Sequence, residues 1–183
     1  MNYLTAMKSG KIMAIDPSTN SLAFAVMEYG TLLAWGKIDL PKGTIIKKLG
    51  TINRMVPVIL DTYIPDYFVI EQSIYIQNAN TTRTLAYING CVLSQVVQHG
   101  TKHIDDVKPL VWKPGIGYKN VSAKEKQIWK DQLGAKEAQK KASFERKERI
   151  KRIIDEKIPG HNCNDNDIID AIGIGLWATQ NLL

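Results

Sequence analysis

Lys11-Ile12-Met13-Ala14-Ile15-Asp16-Pro17-Ser18-Thr19-Asn20-Ser21 is an apolar run that ends in a carboxylate and passes into a cluster of turn residues. Four consecutive apolar residues, Ile12 to Ile15, suit a strand covered on both faces. Pro17 and the Ser-Thr-Asn-Ser that follows stop the strand at Asp16. Asp16 is therefore expected at the end of a buried strand, on the rim of a core. Asp before Pro is also ordinary turn chemistry. The residue gains weight from the other acids that the chain can bring to it.

Outward from this stretch, Leu22–Met27 and Thr31–Ile38 read as two further strands, joined by the Glu28-Tyr29-Gly30 turn. Together with the first strand they make an antiparallel meander. Ile45, Leu49, Ile52, Val56 and Ile59 follow helical spacing up to about Tyr63, and Pro57 predicts a kink or an early end. Asp66-Tyr67-Phe68-Val69-Ile70-Glu71 then repeats the opening pattern, an apolar strand ending in an acid. A helix is expected over 80–98, with Gly90 marking a close approach in its middle. A weak strand follows at Lys102–Asp105. The stretch from Trp112 to Asn120, rich in Lys, Pro, Gly and aromatics, reads as a flexible loop. Ser122 to Lys157 is helical and strongly charged, and Asn164 to Leu183 is an amphipathic helix opened by Asn and Asp. The order β-β-β-α-β-α-β-α-α implies an α/β fold with a mixed five-stranded sheet: an antiparallel meander extended by parallel strands through helical crossovers, with helices flanking it.

If the strands ending in Asp16 and Glu71 are parallel neighbours, both carboxylates stand at one edge of the sheet. Asp167 and Asp170 are i, i+3 in the last helix and share a face. Acids in a first helical turn are also favoured by the helix dipole alone, by roughly 0.3–1 kcal/mol each. Asp16, Glu71, Asp167 and Asp170 together form an all-carboxylate set, and nothing places His99, His103 or His161 beside it; those three read as surface or turn histidines. Oxygen-only sites suit Mg²⁺, with Mn²⁺ as the alternative. Two such ions about 3.5–4 Å apart support phosphodiester hydrolysis. Acids crowded together repel one another unless cations are bound.

Ile12-Met13-Ala14-Ile15-Asp16-Pro17, Val69-Ile70-Glu71-Gln72 and Asp167-Ile168-Ile169-Asp170-Ala171 resemble the three motifs of the RuvC-type Holliday junction resolvases (crossover junction endodeoxyribonucleases). Asn78-Ala79, Gly90, Val107-Lys108, Gly115-Ile116-Gly117 and Ser122–Lys126 fall in matching order, so the resemblance runs from about Lys11 to Asn181. It implies a ribonuclease H-like fold, a homodimer and Mg²⁺-dependent symmetric nicking of four-way DNA junctions. Asp16, Glu71, Asp167 and Asp170 would then be the catalytic, metal-binding acids. Lys108 and Lys126 would contact DNA phosphates, and the helix after Asn80 would supply much of the dimer interface. Bacterial members carry an aromatic wedge three residues after the catalytic Glu; here Ile74 stands there with Tyr75 beside it, an apolar pair expected to bind DNA by unstacking a base step. The Trp112-Lys113-Pro114 stretch resembles an insertion, and the Lys/Arg-rich segment is longer than usual. These departures suit a divergent, phage-encoded member.

The 183 residues are read as one domain, 1–183, and hydrophobic residues at 44% against 23% charged exclude global disorder. A net charge of +6 favours a polyanionic partner over an acidic one. Cys91 and Cys163 fit neither a metal spacing nor a disulfide framework, and Cys91 is expected buried. No signal peptide opens the chain, and no apolar run reaches the roughly 20 residues of a membrane span. The expected setting is the cytoplasm of a bacterial or phage-infected cell. Two other readings stay open: a nuclease of the same fold acting on other branched DNA or RNA–DNA hybrids, and a non-catalytic junction-binding protein. The basic helix also has a plainer reading as a solvated face, because Glu125, Glu137, Glu145, Glu148 and Glu156 can pair with its lysines and arginines.

Overall fold

The structure is a computed structural model that describes residues 10–73 and 78–183. The opening stretch forms β1 (Lys11–Pro17), followed by β2 (Ser21–Glu28) and β3 (Thr31–Asp39). Helix α1 (Ile45–Tyr63) leads to β4 (Tyr67–Glu71), and α2 (Ala79–His99) leads to β5 (His103–Val107). The chain ends in α3 (Pro109–Gly115), α4 (Ala123–Leu133), α5 (Ala135–Lys157) and α6 (Asn166–Leu182). The five-stranded sheet has the order β3-β2-β1-β4-β5, so β1 is the central strand. β1 is antiparallel to β2 and β2 to β3, whereas β4 runs parallel to both β1 and β5.

Because successive side chains of a strand point to opposite faces, the apolar run of β1 feeds two cores. Ile12 and Ala14 pack with Val69, Trp112, Ile154 and the inner face of α6. Met13 and Ile15 pack with Phe68, Ile70 and the apolar stripes of α1 and α2, including Ile52, Val56, Ile88 and Val92. All four β1 residues are fully buried, which is why the run shows no polar alternation. α6 lies close on the sheet because its small residues leave room: a Cβ added at Gly175 would lie 2.9 Å from Met27 Cγ.

Several local expectations need correction. α1 passes through Pro57 and ends only at Ile64, which takes a left-handed φ of 47°. Gly90 does not mark a tight contact, since a Cβ there would meet nothing within 4 Å. Cys91 is half-buried, and its thiol donates to Asn53 Oδ1 at 3.0 Å across the α1–α2 contact. His161 is buried. Its Nδ1 accepts the Cys163 N–H at 3.0 Å, which leaves Nε2 to donate to Asp155 Oδ1 at 2.8 Å, so it braces the turn after α5.

The largest difference concerns Trp112 to Asn120. Its first part is helix α3, with Lys108 as N-cap and Pro109 at the start, where a missing N–H costs nothing. Trp112, Ile116 and Tyr118 are buried in the α6-side core. The charged region beyond is two helices separated by Gly134 (φ 79°). Ser122 and Glu125 form a capping box at the start of α4.

Candidate active site

The register between β1 and β4 pairs Ile15 with Ile70, so Asp16 and Glu71 follow at the same level on adjacent parallel strands. Alternation then decides their direction: Asp16 shares a face with Ile12 and Ala14, and Glu71 with Val69, all in the core under α6. The two carboxylates therefore point to the side on which α6 carries Asp167 and Asp170.

The start of α6 is held by Asp165, whose carboxylate accepts from the N–H groups of Asp167 (2.9 Å) and Ile168 (3.4 Å). An N-cap of this type is worth about 1 kcal/mol. The same carboxylate pairs with Lys37 of β3 at 2.6 Å, which holds Asp165 below the usual carboxylate range. Asp167 is tied to the turn after Asp16, because the buried Ser21 hydroxyl donates to its Oδ2 at 3.0 Å, and Lys37 lies 3.3 Å from the same oxygen. The turn is braced from below by buried Lys48, which donates to the Thr19 carbonyl at 2.6 Å. Ser18 Oγ accepts from the Ser21 N–H at 2.9 Å within it.

α3 supplies two contacts from consecutive residues. Trp112 Nε1 donates to Glu71 Oε2 at 2.6 Å, and Lys113 Nζ lies 3.3 Å from Asp170 Oδ2. The Lys113 ammonium also sits 4.9 Å from the centre of a Trp112 ring. Burial, then the charges of Glu71, Asp170 and Asp167, push the Asp16 carboxyl well above its ordinary range; Lys113 opposes them. Burial likewise raises Glu71 against the Trp112 hydrogen bond and Lys113, and raises Asp170 against Lys113. Burial leads each of these shifts, and mutual repulsion among the carboxylates adds to it.

A cleft of about 450 Å³ opens beside the acids, lined by Glu71, Lys113, Asp167 and Asp170 together with Ser143, Arg146 and Lys147 of α5. Much of the α5 charge is neutralised locally, through Lys140–Glu137 (2.8 Å), Lys151–Asp155 (2.9 Å) and the Arg149 and Arg152 pairs with Glu145 (2.9 and 2.7 Å). Arg149 also joins Glu125, tying α5 to α4. Among the described residues, Arg146 and Lys147 make no ion pair, and both face the cleft. The plain reading as a solvated face thus holds for the four α5 cations paired with acids, and Arg146 and Lys147 are set apart by lining the cleft.

The donor set tests whether a metal fits. All candidate ligands are carboxylates, and their mutual repulsion would be relieved by a cation. In the arrangement seen, no group of three or more His, Cys, Asp or Glu among the described residues is drawn together closely enough to hold an ion. Asp167 and Asp170 are instead paired with Lys37 and Lys113. By type the acids fit an oxygen-bound divalent cation, which would take the place of Lys37 and Lys113, while the Trp112 N–H occupies only one oxygen of Glu71.

Of the other residues singled out from the sequence, Lys108 directly follows Val107, the β5 partner of Glu71, but its side chain is exposed. Lys126 is exposed on α4. Neither side chain is hydrogen-bonded or paired with an acid among the described residues. Ile74 and Tyr75 lie outside the described residues. Lys37 and Lys113 are cations at the acids that sequence reasoning missed; for Lys113 the signal was Lys108-Pro109, a helix start rather than the edge of a loop.

Comparison with known proteins gives the family and the fold. The family described as crossover junction endodeoxyribonuclease RuvC matches residues 12–129. Thermus thermophilus RuvC, solved in complex with a Holliday junction substrate, aligns with a TM-score of 0.68 at 15% identity, over 91% of this chain and 90% of that one. A second structure of Thermus thermophilus RuvC gives 0.66 at 15% identity, over 91% and 92%. The yeast mitochondrial Holliday junction resolvase Ydc2 gives 0.56 at 11% identity, over 92% and 78%. Comparison with curated protein sequences gives no match. With its family match spanning more than half of its length, the chain belongs to the crossover junction endodeoxyribonuclease RuvC family.

Proposed function

We propose that this protein is a structure-selective DNA endonuclease that resolves four-way junctions by paired, symmetric nicks, using Mg²⁺ bound by Asp16, Glu71, Asp167 and Asp170. The observation that carries the proposal is the convergence of those acids from β1, β4 and α6 beside a cleft that Arg146 and Lys147 also line, in a chain of this family. Bound divalent cations, two in this reading, would activate water and stabilise the leaving oxygen of the phosphodiester.

The chain's own residues have distinct tasks. The Ser18–Ser21 turn fixes the end of β1 and, through Ser21, the position of Asp167. Trp112 and Lys113 hold Glu71 and Asp170. Arg146 and Lys147 are suited to phosphates flanking the scissile one. They line the same cleft as the acids, so a backbone bound there could meet both. Lys108, the N-cap of α3, and Lys126 of α4 are exposed and would contact further phosphates.

A homodimer would present two such centres to opposing strands. α2 offers an exposed face with Tyr87 (52% exposed), Gly90 and Val97 (64% exposed), and the empty space above Gly90 suits close approach by a second helix. Among the described residues, no helix is long and apolar enough to cross a membrane.

The test is cleavage of a four-way junction, a Y-fork, an RNA–DNA hybrid and linear duplex in one assay with Mg²⁺. Symmetric nicks confined to the four-way junction are expected. Preference for the hybrid or fork would move the substrate class, and binding without cleavage under any divalent ion would favour a junction-binding protein.

A further inference from the structure

Two neutral donors reach the acids, the Ser21 hydroxyl at Asp167, which braces the turn, and the indole of Trp112 at Glu71. The indole is fully buried, and its Nε1 donates to Glu71 Oε2 at 2.6 Å. An indole N–H can only donate, so the contact favours the ionised carboxylate and fixes one of its two oxygens. The ring cannot shift easily: a Cβ at Gly173 would lie 2.6 Å from Trp112 Cζ3, so α6 has given up a side chain to seat it. From the other side, the Trp112 carbonyl accepts the Ile116 N–H at 3.0 Å, which fixes the short helix that carries it. Glu71 is meanwhile held through its backbone, with Ile70 and Glu71 paired to Asp106 and Val107 of β5. Donor and acceptor are thus each immobilised by separate parts of the fold.

We propose that Trp112 is a positioning residue, orienting Glu71 toward Asp16 through its indole N–H so that a divalent cation meets an ordered ligand. The inference rests on the carboxylate-centre reading above and deepens it by assigning a partner that sequence reasoning placed in a flexible loop. A buried indole needs some acceptor, and a backbone carbonyl would have satisfied it. Here the acceptor is a carboxylate of the site, and the next residue, Lys113, contacts a second one. Groups behind a metal ligand typically change ion affinity 10–100-fold when removed.

The test uses the full chain stripped of metal, with Mn²⁺ binding followed by electron paramagnetic resonance. Trp112→Phe deletes the donor and shrinks the ring. Replacing Trp112 with β-(3-benzothienyl)alanine deletes the donor and keeps the shape, so it remains informative if the Phe variant folds poorly. We expect about a tenfold loss of Mn²⁺ affinity in both, with junction binding in chelator unchanged. Wild-type affinity in the benzothienyl variant would overturn the assignment, whatever happens to the melting temperature. Failure of the parent reading looks different: Asp16→Asn would bind Mn²⁺ as the wild type does, or the wild type would bind none. Either result would remove the carboxylate centre and this inference with it.

Discussion

Replacing Asp16 by Asn is expected to stabilise the metal-free protein while it abolishes cleavage. Burial and the charges of Glu71, Asp170 and Asp167 raise the Asp16 carboxyl well above its ordinary 3.8. The folded chain therefore binds this proton more tightly than the unfolded chain, and stability falls as pH rises from about 4 through the folded value. Above that window the ionised Asp16 is a standing cost, only partly offset by Lys113. Asparagine keeps the shape and removes the charge, and relieving a functional-site strain of this kind typically gains about 0.5–2 kcal/mol. For a chain of this size that is roughly 1–8 °C in Tm. Adding Mg²⁺ reverses the order, because a ligand at 100 times its Kd stabilises the wild type by about 2.7 kcal/mol and the variant has lost a ligand. Thermal melts in chelator and in Mg²⁺, between pH 4 and 8, measure both halves. A variant no more stable than wild type in chelator at neutral pH would refute the acid cluster, and equal Mg²⁺ stabilisation would refute the metal role.

Other perturbations separate the parts of the site. Lys113→Met removes the cation beside Asp170; melts should show about 1–2 kcal/mol lost in chelator, between the values of exposed and buried pairs, and a smaller deficit in saturating Mg²⁺. Gly173→Ala should cost about 1–3 kcal/mol by overpacking Trp112, whereas Gly90→Ala, which meets nothing within 4 Å, should gain up to about 1 kcal/mol of helix propensity in the isolated monomer; denaturant titration distinguishes the two. Arg146→Gln and Lys147→Gln should each weaken junction binding and lower the salt slope of log K by about 1, read by fluorescence anisotropy across salt concentrations.

Much of the site could be read from the sequence because it depends on strand parity. Asp16 lies two residues beyond Ala14 and Glu71 two beyond Val69, so once β1 and β4 are parallel neighbours both acids face α6. The i, i+3 spacing of Asp167 and Asp170 supplies the other half. Parity says nothing about α3. Pro114, Gly115 and Gly117 weigh toward a loop in any local reading, yet Trp112 buries its whole ring and the tertiary contact wins over composition. Lys113 was invisible for the same reason. Gly90 and Gly173 look alike in sequence, and only packing shows that one faces open space and the other a tryptophan. His161 reads as a turn histidine; its burial follows from hydrogen bonds to Asp155 and Cys163 that no periodicity encodes.

The central claim is tested most directly by incubating a four-way junction with wild type and with Asp16→Asn, each with and without Mg²⁺. The account predicts paired symmetric nicks from the wild type only when Mg²⁺ is present, and junction binding without cleavage from the variant. Mg²⁺-dependent cleavage by Asp16→Asn at the wild-type rate would contradict it.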